Sequence, residues 1–450
     1  MQTGEPPRRP ARRLAPLLAA VVLAAPACSV TDAGGSGGTA EQQGAQDQVF
    51  DPPTEFDTGA ATEIDLGAGS REEGRALRLA MDEGTVYFSD EDGLHAYDAL
   101  GGRELWSVPT RQPVVDARPD SAVLTEIDGR AVVVGAFQTR NPGEGNAVGQ
   151  ERLEVVAADA RNGQLLWRAE HIPSGPPPDP DDVFAVGADE DAVVVSYGTA
   201  VAFSPESGDR LWSEGRLRPE AMVDGTVVGW STAGASEGRQ SQEGRQDEET
   251  PDTAGPGGAS GSSVGVLSAV GSMDGAFRWR LWDEEGGESA VPLRVSSMDG
   301  SRLLVGRESS PAVGEEPVPE WAVVDASEGE TAYWTERMRD QVCRYDDQSM
   351  LVCWNGGHTS PAVYVYTSGS GDRLWNDDAL GGSVPTDVRG VWHGVLYTDK
   401  GLGGDAPGIY SLDFQNDLEL DPGAAPDLTD GTVGLRFAED GTATAFPAVA

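Results

Sequence analysis

The sequence predicts an all-β fold, an eight-bladed β-propeller of four-stranded antiparallel blades, and two observations support this prediction. The first is a phrase that occurs six times, in which a turn glycine is followed four or five residues later by a tryptophan. The second is that each copy follows short runs rich in Val, Tyr and Leu, separated by turn residues, which indicate strands and show no helical period. Repeated strand units of this kind are typical of propeller blades. The six copies are DALGGRELW (98–106), DARNGQLLW (159–167), SPESGDRLW (204–212), GSMDGAFRW (271–279), DASEGETAYW (325–334) and SGSGDRLW (368–375).

Each copy of the phrase lies at the end of a unit of four predicted strands. In the first unit, the second, third and outer strands are GTVYFSD (84–90), LHAYDA (94–99) and ELWSV (104–108). A segment upstream of each triplet supplies an inner strand, such as PVVDAR (113–118) or VFAVGA (183–188). The order recurs up to a seventh unit that lacks the tryptophan, GVLYTDK, GIYSLDF and QNDLELD.

The two ends of the chain provide the eighth unit. Residues 427–448 match the middle strands of a blade, and the chain then stops without an outer strand. The segment ATEIDLG (61–67) has the pattern of an outer strand with no blade before it. Closure of the ring by joining the two ends would remove exposed sheet edges, so we predict eight blades, with seven as the alternative.

The glycine and the tryptophan of each phrase are interpreted as packing residues. A glycine adopts the positive φ of a tight turn without steric cost. The tryptophan on the outer strand can cover the neighbouring blade. Its fixed place in the repeat favours this packing role over the stacking of a ligand. These residues are Gly102, Trp106, Gly163, Trp167, Gly208, Trp212, Gly275, Trp279, Gly329, Trp334, Gly371 and Trp375.

The spacing Ala-x-Asp-x-x-x-Gly-x-x-x-Trp, as in Ala96, Asp98, Gly102 and Trp106, resembles the repeat of PQQ-like β-propellers. The resemblance extends over residues from about 60 to 448, although the fifth copy lengthens the gap before Trp334. It implies the fold, whereas one fold hosts unrelated activities.

The resemblance leaves three functions open. Quinone-dependent dehydrogenases of this family bind the quinone with calcium or a lanthanide and use an aspartate base, but no such ligand set maps onto this sequence. One lipoprotein of the family is a scaffold for the assembly of outer-membrane proteins. We expect a non-catalytic binding or scaffolding propeller with no cofactor and no metal, and the enzyme and the assembly scaffold remain alternatives.

The N-terminal segment has the pattern of an export signal. Four arginines, an apolar run from Leu14 to Ala27 and a small-residue site predict a signal peptide over residues 1–27. Cys28 follows directly, which resembles the lipidation site of bacterial lipoproteins, while ordinary cleavage and secretion remain the alternative. The polar stretch 28–55 is predicted to be a flexible tether and 56–450 the propeller, with a disordered insertion at 232–263. The expected location is the outer face of the cell membrane.

Two further cysteines, Cys343 and Cys353, lie on either side of a predicted hairpin turn. Export favours a disulfide between them, and two buried free thiols are the alternative. The four histidines, His95, His171, His358 and His393, stand singly and are interpreted as packing or solvated residues.

The net charge and the loop lengths restrict the classes of partner that we expect. The formal net charge of −43 repels phosphates, so nucleic acid is not an expected partner. Long predicted connections at 138–152, 232–263, 307–319 and 398–408 all join the second and third strands of a blade. Because strands alternate in direction, these loops emerge on one face, which we expect to bind an unknown protein or cell-envelope ligand.

Overall fold

The eight-bladed propeller predicted from the repeat is confirmed, and the seven-bladed alternative is wrong. The computed structural model describes residues 51–65, 79–115, 122–142, 149–173, 175–232, 265–282, 291–309, 318–355, 362–376, 386–400, 406–412, 422–438 and 442–449. All of their sheets are antiparallel, and the only helices among them are two short 3-10 turns, Thr58–Ala60 and Pro180–Asp182. No helix in these ranges is long and apolar enough to span a membrane.

The strands of the blades follow one another from the channel outwards. Blade 1 is Ala80–Asp82, Thr85–Ser89, Gly93–Asp98 and Arg103–Pro109; blade 2 is Ala122–Ile127, Arg130–Asn141, Gln150–Asp159 and Leu165–His171; blade 3 is Val183–Ala188, Val193–Tyr197, Ala200–Phe203 and Arg210–Glu214; blade 4 is Leu217–Val223, Thr226–Thr232, Gly265–Gly271 and Phe277–Leu281. Blade 5 is Val291–Ser297, Arg302–Ser309, Val318–Asp325 and Thr331–Trp334; blade 6 is Gln341–Tyr345, Met350–Asn355, Val363–Thr367 and Arg373–Asn376; blade 7 is Thr386–Trp392, Val395–Lys400 and Gly408–Ser411; blade 8 is Leu428–Thr429, Val433–Phe437, Thr442–Pro447 and Thr62–Asp65. The segment QNDLELD, predicted as the outer strand of blade 7, lies outside the described residues.

The ring closes through the N-terminal strand, as the sequence predicted. Thr62–Asp65 pairs antiparallel with Thr442–Pro447, with Thr62 opposite Ala445. Upstream of the strand, the Tyr397 hydroxyl donates to the Pro53 carbonyl at 2.7 Å. The closing segment therefore holds blade 8 and also contacts blade 7.

The middle strands of the blades are buried on both faces because each blade is packed between two others. In blade 3, every residue of Val193–Tyr197 is buried. One hydrophobic cluster joins blades 2 and 3, a second joins blades 4 and 5, and a third joins blades 8 and 1. Strands buried on both faces have continuous apolar sequences rather than alternating ones, which explains runs such as Val132–Val134.

The inner strand of blade 2 differs from the prediction. It is Ala122–Ile127, whereas 113–118 was predicted, and in the described part of that segment, 113–115, Val114 forms an isolated bridge with Thr139. A two-residue turn with positive φ at Asp128 (52°) and Gly129 (72°) places Ile127 opposite Arg130. This turn sets the register of the hairpin, and residues preceding it directly become the inner strand.

The strands alternate in direction, so the connections separate onto two faces. The turn face carries the connections between inner and second strands, such as 83–84 and 224–225, and those between third and outer strands, such as 326–330. The loop face carries the connections between second and third strands, including 233–264, and all connections between blades.

Three loop-face connections are shorter than predicted, and in blade 7 the strands reduce the predicted loop 398–408 to 401–407. In blade 2 the strands extend to Asn141 and begin again at Gln150, with Arg140 opposite Glu151, so the predicted loop 138–152 shrinks to 142–149. In blade 5 the strands likewise reduce the predicted loop 307–319 to 310–317. Polar residues at these positions pair through their backbones, a feature that composition does not reveal.

Candidate functional site

Four of the predicted tryptophans seal neighbouring blades. Trp167 of blade 2, which is 6% exposed, lies against the turn glycine of blade 3, where a Cβ on Gly208 would come within 2.6 Å of the indole. Its Nε1 donates to the Pro205 carbonyl at 2.6 Å. The glycine is therefore required by its φ of 73° and also by the ring above it. The same contact recurs for the pairs Trp106 and Gly163, Trp212 and Gly275, and Trp279 and Gly329.

In blade 5 a tyrosine takes the place of the tryptophan. Tyr333 lies four residues after Gly329 and pairs with Val323, as Trp167 pairs with Ala157. Its ring covers Gly371 of blade 6, and its hydroxyl donates to the carbonyls of Thr367 and Ser368 at 3.2 Å. The interpretation of Trp334 as the packing residue of this blade is wrong, because the gap is not lengthened. Trp334 is one position later, points away from blade 6 and is 42% exposed.

At the closure of the ring, Thr62 takes over the packing role. Its methyl group lies 2.6 Å from the position of a Cβ on Gly102, and its hydroxyl donates to the Leu100 carbonyl at 2.8 Å. The side chain of Trp375 and all of Cys28 lie outside the described part of the chain, so lipidation stays a prediction.

The two remaining cysteines form a disulfide. Cys343 and Cys353 stand directly opposite each other on the inner and second strands of blade 6, and their Sγ atoms are bonded. Both side chains are buried, and Cys343 lies beside the central channel.

The histidines take part in packing and ion pairs. His95 of blade 1 is buried, with Nε2 2.8 Å from Asp90 Oδ1 and Nδ1 3.2 Å from Glu104 Oε2. Burial lowers its pKa, but the two carboxylates outweigh burial and raise the pKa above its ordinary value. His393 is paired with Asp51, whereas His358 lies outside the described residues.

The central channel contains a cavity of about 220 Å³. It lies among the inner strands of blades 5 to 8, towards the turn face, where those strands end. Its lining includes Arg294, Ser297, Arg344, Tyr345, Asp347 and Trp392. The volume is below the range of about 300–1,000 Å³ that is usual for sites of drug-sized ligands.

The charges of the channel hold the inner strands together. Arg344 of blade 6 donates to the Arg389 carbonyl of blade 7 at 3.0 Å. The guanidinium of Arg389 contacts Asp399 on the second strand of its own blade at 2.5 Å. Desolvation in the channel, reinforced by the neighbouring Asp346 carboxylate, raises the pKa of Asp347. A guanidinium of blade 6 thus bonds the backbone of blade 7 along the channel, and the ion pair of Arg389 lies within its own blade.

The metal ion that quinone-dependent dehydrogenases bind together with the quinone has no matching ligand set among the described residues. Calcium or a lanthanide requires several oxygen ligands, and the described residues include no group of three His, Cys, Asp or Glu side chains placed to hold a metal ion.

A second feature lies on the loop face between blades 4 and 5, where two tryptophans and an arginine stack. The Trp282 and Trp334 rings are 5.5 Å apart, and the Arg307 guanidinium carbon lies 4.6 Å and 4.7 Å from their centroids. We call Trp282, Arg307 and Trp334 the aromatic platform. The repeat does not predict the platform, because Trp334 ends its copy of the phrase just as the packing tryptophans end the others. The sequence signal for the platform is Tyr333, which lies four residues after Gly329, at the spacing where the other copies have tryptophan.

Comparisons with known proteins found one family profile and several similar solved structures. Residues 62–233 match the sequence profile of a family described as "Outer membrane protein assembly factor BamB". This stretch of the chain is similar to the PQQ-like propeller repeat. No curated protein matches the sequence.

Three solved structures are similar to this chain at low sequence identity, each with a TM-score below 0.5. BamB from Moraxella catarrhalis is 15% identical, with a TM-score of 0.41 and coverage of 86% of this chain and 97% of that one. The quinohemoprotein alcohol dehydrogenase ADHIIG from Pseudomonas putida HK5 is 14% identical, with a TM-score of 0.38 and coverage of 78% and 68%. An acylaminoacyl peptidase from Pyrococcus horikoshii is 10% identical, with a TM-score of 0.34 and coverage of 66% and 46%.

Proposed function

We propose that this PQQ-like propeller is a non-catalytic binding or scaffolding module, exported and anchored through Cys28 to the outer face of the cell membrane, which holds a protein partner on its loop face. The observation that carries the proposal is the unequal length of the connections on the two faces. On the turn face they are as short as 83–84 and 128–129, whereas the loop face carries 142–149, 310–317 and the long segment 233–264.

A rigid disc with long loops on one face is suited to recognition. Loops tolerate sequence change better than the strands that hold them, and binding residues in proteins are concentrated on such loops. The inter-blade contacts of Trp106, Trp167, Trp212 and Trp279 fix the positions from which the loops start. The match of residues 62–233 to a profile described as an outer-membrane protein assembly factor also supports a role in holding another protein.

The test is crosslinking on intact cells followed by mass spectrometry. We expect one or more proteins to be crosslinked through loop-face residues, and replacement of 142–149 by a short Gly-Ser turn to weaken that crosslink. This replacement keeps the strand pair Asn141 and Gln150 that closes the hairpin. As a matched control, Asp128→Asn in the exposed turn-face connection 128–129 of the same blade keeps the two-residue turn and should leave the partner bound. Crosslinks confined to the turn face would contradict the proposal.

The enzymatic alternative has its own test. Titration of the purified protein with PQQ and calcium, followed by absorbance, should show no stoichiometric complex. A saturable complex would replace the scaffold with a quinone-dependent enzyme.

The anchor is tested separately from the partner. Cys28→Ala should move the protein from the membrane fraction into the medium, because a thioether-linked lipid requires that sulfur. An unchanged membrane fraction would contradict the anchor and leave the partner in place.

A further inference from the structure

We propose that the aromatic platform, Trp282, Arg307 and Trp334, is a carbohydrate site that takes a neutral pyranose ring of a β-1,4-linked, gluco-configured chain. This function is additional to a protein partner on the loop face and does not depend on it.

Trp334 occupies a position that the fold does not need to fill with an aromatic residue. Tyr333 already covers Gly371, so the next side chain points to the other side of the outer strand. The equivalent residues, one position after the packing tryptophan, are Ser107 in blade 1 and Arg168 in blade 2. A large indole that is 42% exposed at this position gains little packing energy and presents apolar surface to water.

The backbone and the neighbours orient the platform towards the loop face. Trp230 lies near the end of a second strand, while Trp282 and Trp334 lie at the ends of outer strands, and all of these strands end on the loop face. Trp282 has a φ of 64°, a conformation that an aromatic residue adopts only where its surroundings hold it there. The buried Trp230, 6.2 Å from Trp282, supports the stack from below.

Arg307 is fixed before any ligand arrives. Its Nε and Nη2 atoms donate to the buried Glu320 carboxylate at 3.2 Å and 3.1 Å, and Arg337 pairs with the same carboxylate. The guanidinium and the two indoles are therefore held in one arrangement, so a ligand would lose little conformational entropy in ordering them.

The charge around the platform selects a neutral ligand. The Arg307 guanidinium lies against both indoles, and Arg337 is close by, so a cation on the open indole face would be repelled. A polyanion is disfavoured because the whole chain carries a formal charge of −43. Neutral ligands with an apolar face remain.

The shape of the platform distinguishes a sugar from a proline-rich peptide. Such peptides dock in grooves between aromatic walls. Here Trp282 and Trp334 touch each other, at 5.5 Å and a 32° interplanar angle, so they form one block without a groove between them. The open part of Trp334 suits a flat ring. In β-1,4-linked gluco-configured sugars all ring substituents are equatorial, which leaves both faces lined by axial C–H bonds that can lie on an indole. The guanidinium of Arg337, whose side chain is 66% exposed, can donate to hydroxyls at the edge of the ring.

The experiment is affinity gel electrophoresis of the purified protein in gels containing hydroxyethyl cellulose, repeated with soluble glycol chitin. We expect retardation of the wild-type protein, and Trp334→Ala should weaken the apparent affinity by about tenfold, as loss of one aromatic stacking contact typically does. Trp334→Phe should retain part of the retardation because it keeps an aromatic face.

Phe277→Ala is the matched control, since Phe277 is an aromatic residue on an outer strand that is 53% exposed and lies at the opposite end of its strand from Trp282. It should be retarded as the wild type is. No retardation of the wild type in either gel, equal weakening by both alanine variants, or competition at Trp334 by a proline-rich peptide instead of cellohexaose would each overturn the carbohydrate site. Loop-face crosslinks should persist in Trp334→Ala whether or not the protein binds a sugar, so absence of retardation in the gels overturns this inference alone, and loss of the wild-type crosslinks overturns the proposed function alone.

Discussion

At the scale of single residues, one position in the repeat separates packing from exposure. Tyr333 and Trp334 are adjacent, yet the first covers Gly371 and the second is 42% exposed. Because strand side chains alternate between faces, a shift by one residue moves an aromatic ring from one blade interface to the other side of the strand. The side chain that packs and the side chain that is exposed are thus adjacent residues of one short strand.

This separation predicts unequal effects on stability. Tyr333→Ala should lower the free energy of unfolding by about 3 kcal/mol, because it leaves a cavity over Gly371 and removes a hydrogen bond to blade 6. Trp334→Ala should lower it by less than about 1 kcal/mol, as is usual for surface positions. Urea unfolding followed by circular dichroism measures both. Equal losses would contradict the assignment of the packing role to Tyr333.

His95 predicts a dependence of stability on pH. Burial lowers its pKa, but Asp90 and Glu104 raise the pKa above the ordinary 6.5. A histidine whose pKa is raised in the folded state stabilises the protein below its unfolded pKa, and this contribution is lost as the pH rises through the folded pKa. His95→Gln should therefore lower the free energy of unfolding more at pH 5.5 than at pH 8.5. Urea titrations of both proteins at the two pH values test this, and an equal loss at both would show that the ion pairs contribute nothing.

At the scale of strands, the sequence predicts middle strands well and inner strands poorly. Strands such as Val193–Tyr197 are buried on both faces, so their apolar runs are distinct. The inner strand Ala122–Ile127 faces the polar channel on one side and was missed in favour of 113–118. The extensions to Asn141 and from Gln150 consist of polar residues paired through the backbone. Tertiary contacts determine where these strands begin and end. They also bring together the residues of the aromatic platform, which the sequence for that reason did not predict.

The disulfide of blade 6 is a local element of stability. It closes a loop with a sequence separation of 10. Chain entropy predicts a contribution of about 3 kcal/mol for a loop of this size. Cys343→Ala with Cys353→Ala should lower the free energy of unfolding by about that amount and leave the secondary structure unchanged. Differential scanning calorimetry and circular dichroism would measure the two effects. Collapse of the whole fold in the double variant would show that the disulfide holds more than one hairpin.

At the scale of the whole molecule, the ring depends on a segment that is distant in sequence from the blade it completes. Residues 51–65 supply the outer strand of blade 8, cover Gly102 through Thr62 and provide the Pro53 carbonyl to Tyr397. A shortened chain that starts at Leu79 would leave Thr442–Pro447 as an open edge strand. Open edges pair with other chains, so this protein should associate with rising concentration and unfold at lower urea than the full chain.

Addition of a synthetic peptide of residues 51–65 distinguishes loss of closure from general damage. The peptide should restore a monomer, measured by sedimentation velocity, and return the urea midpoint towards that of the full chain, because binding to the folded state alone stabilises it by mass action. A chain that starts at Asp51 is the matched control and should behave as the full chain does. If the chain from Leu79 were monomeric with an unchanged midpoint, the pairing of Thr62 with Ala445 would contribute nothing to closure, and the eighth blade would be stable with three strands.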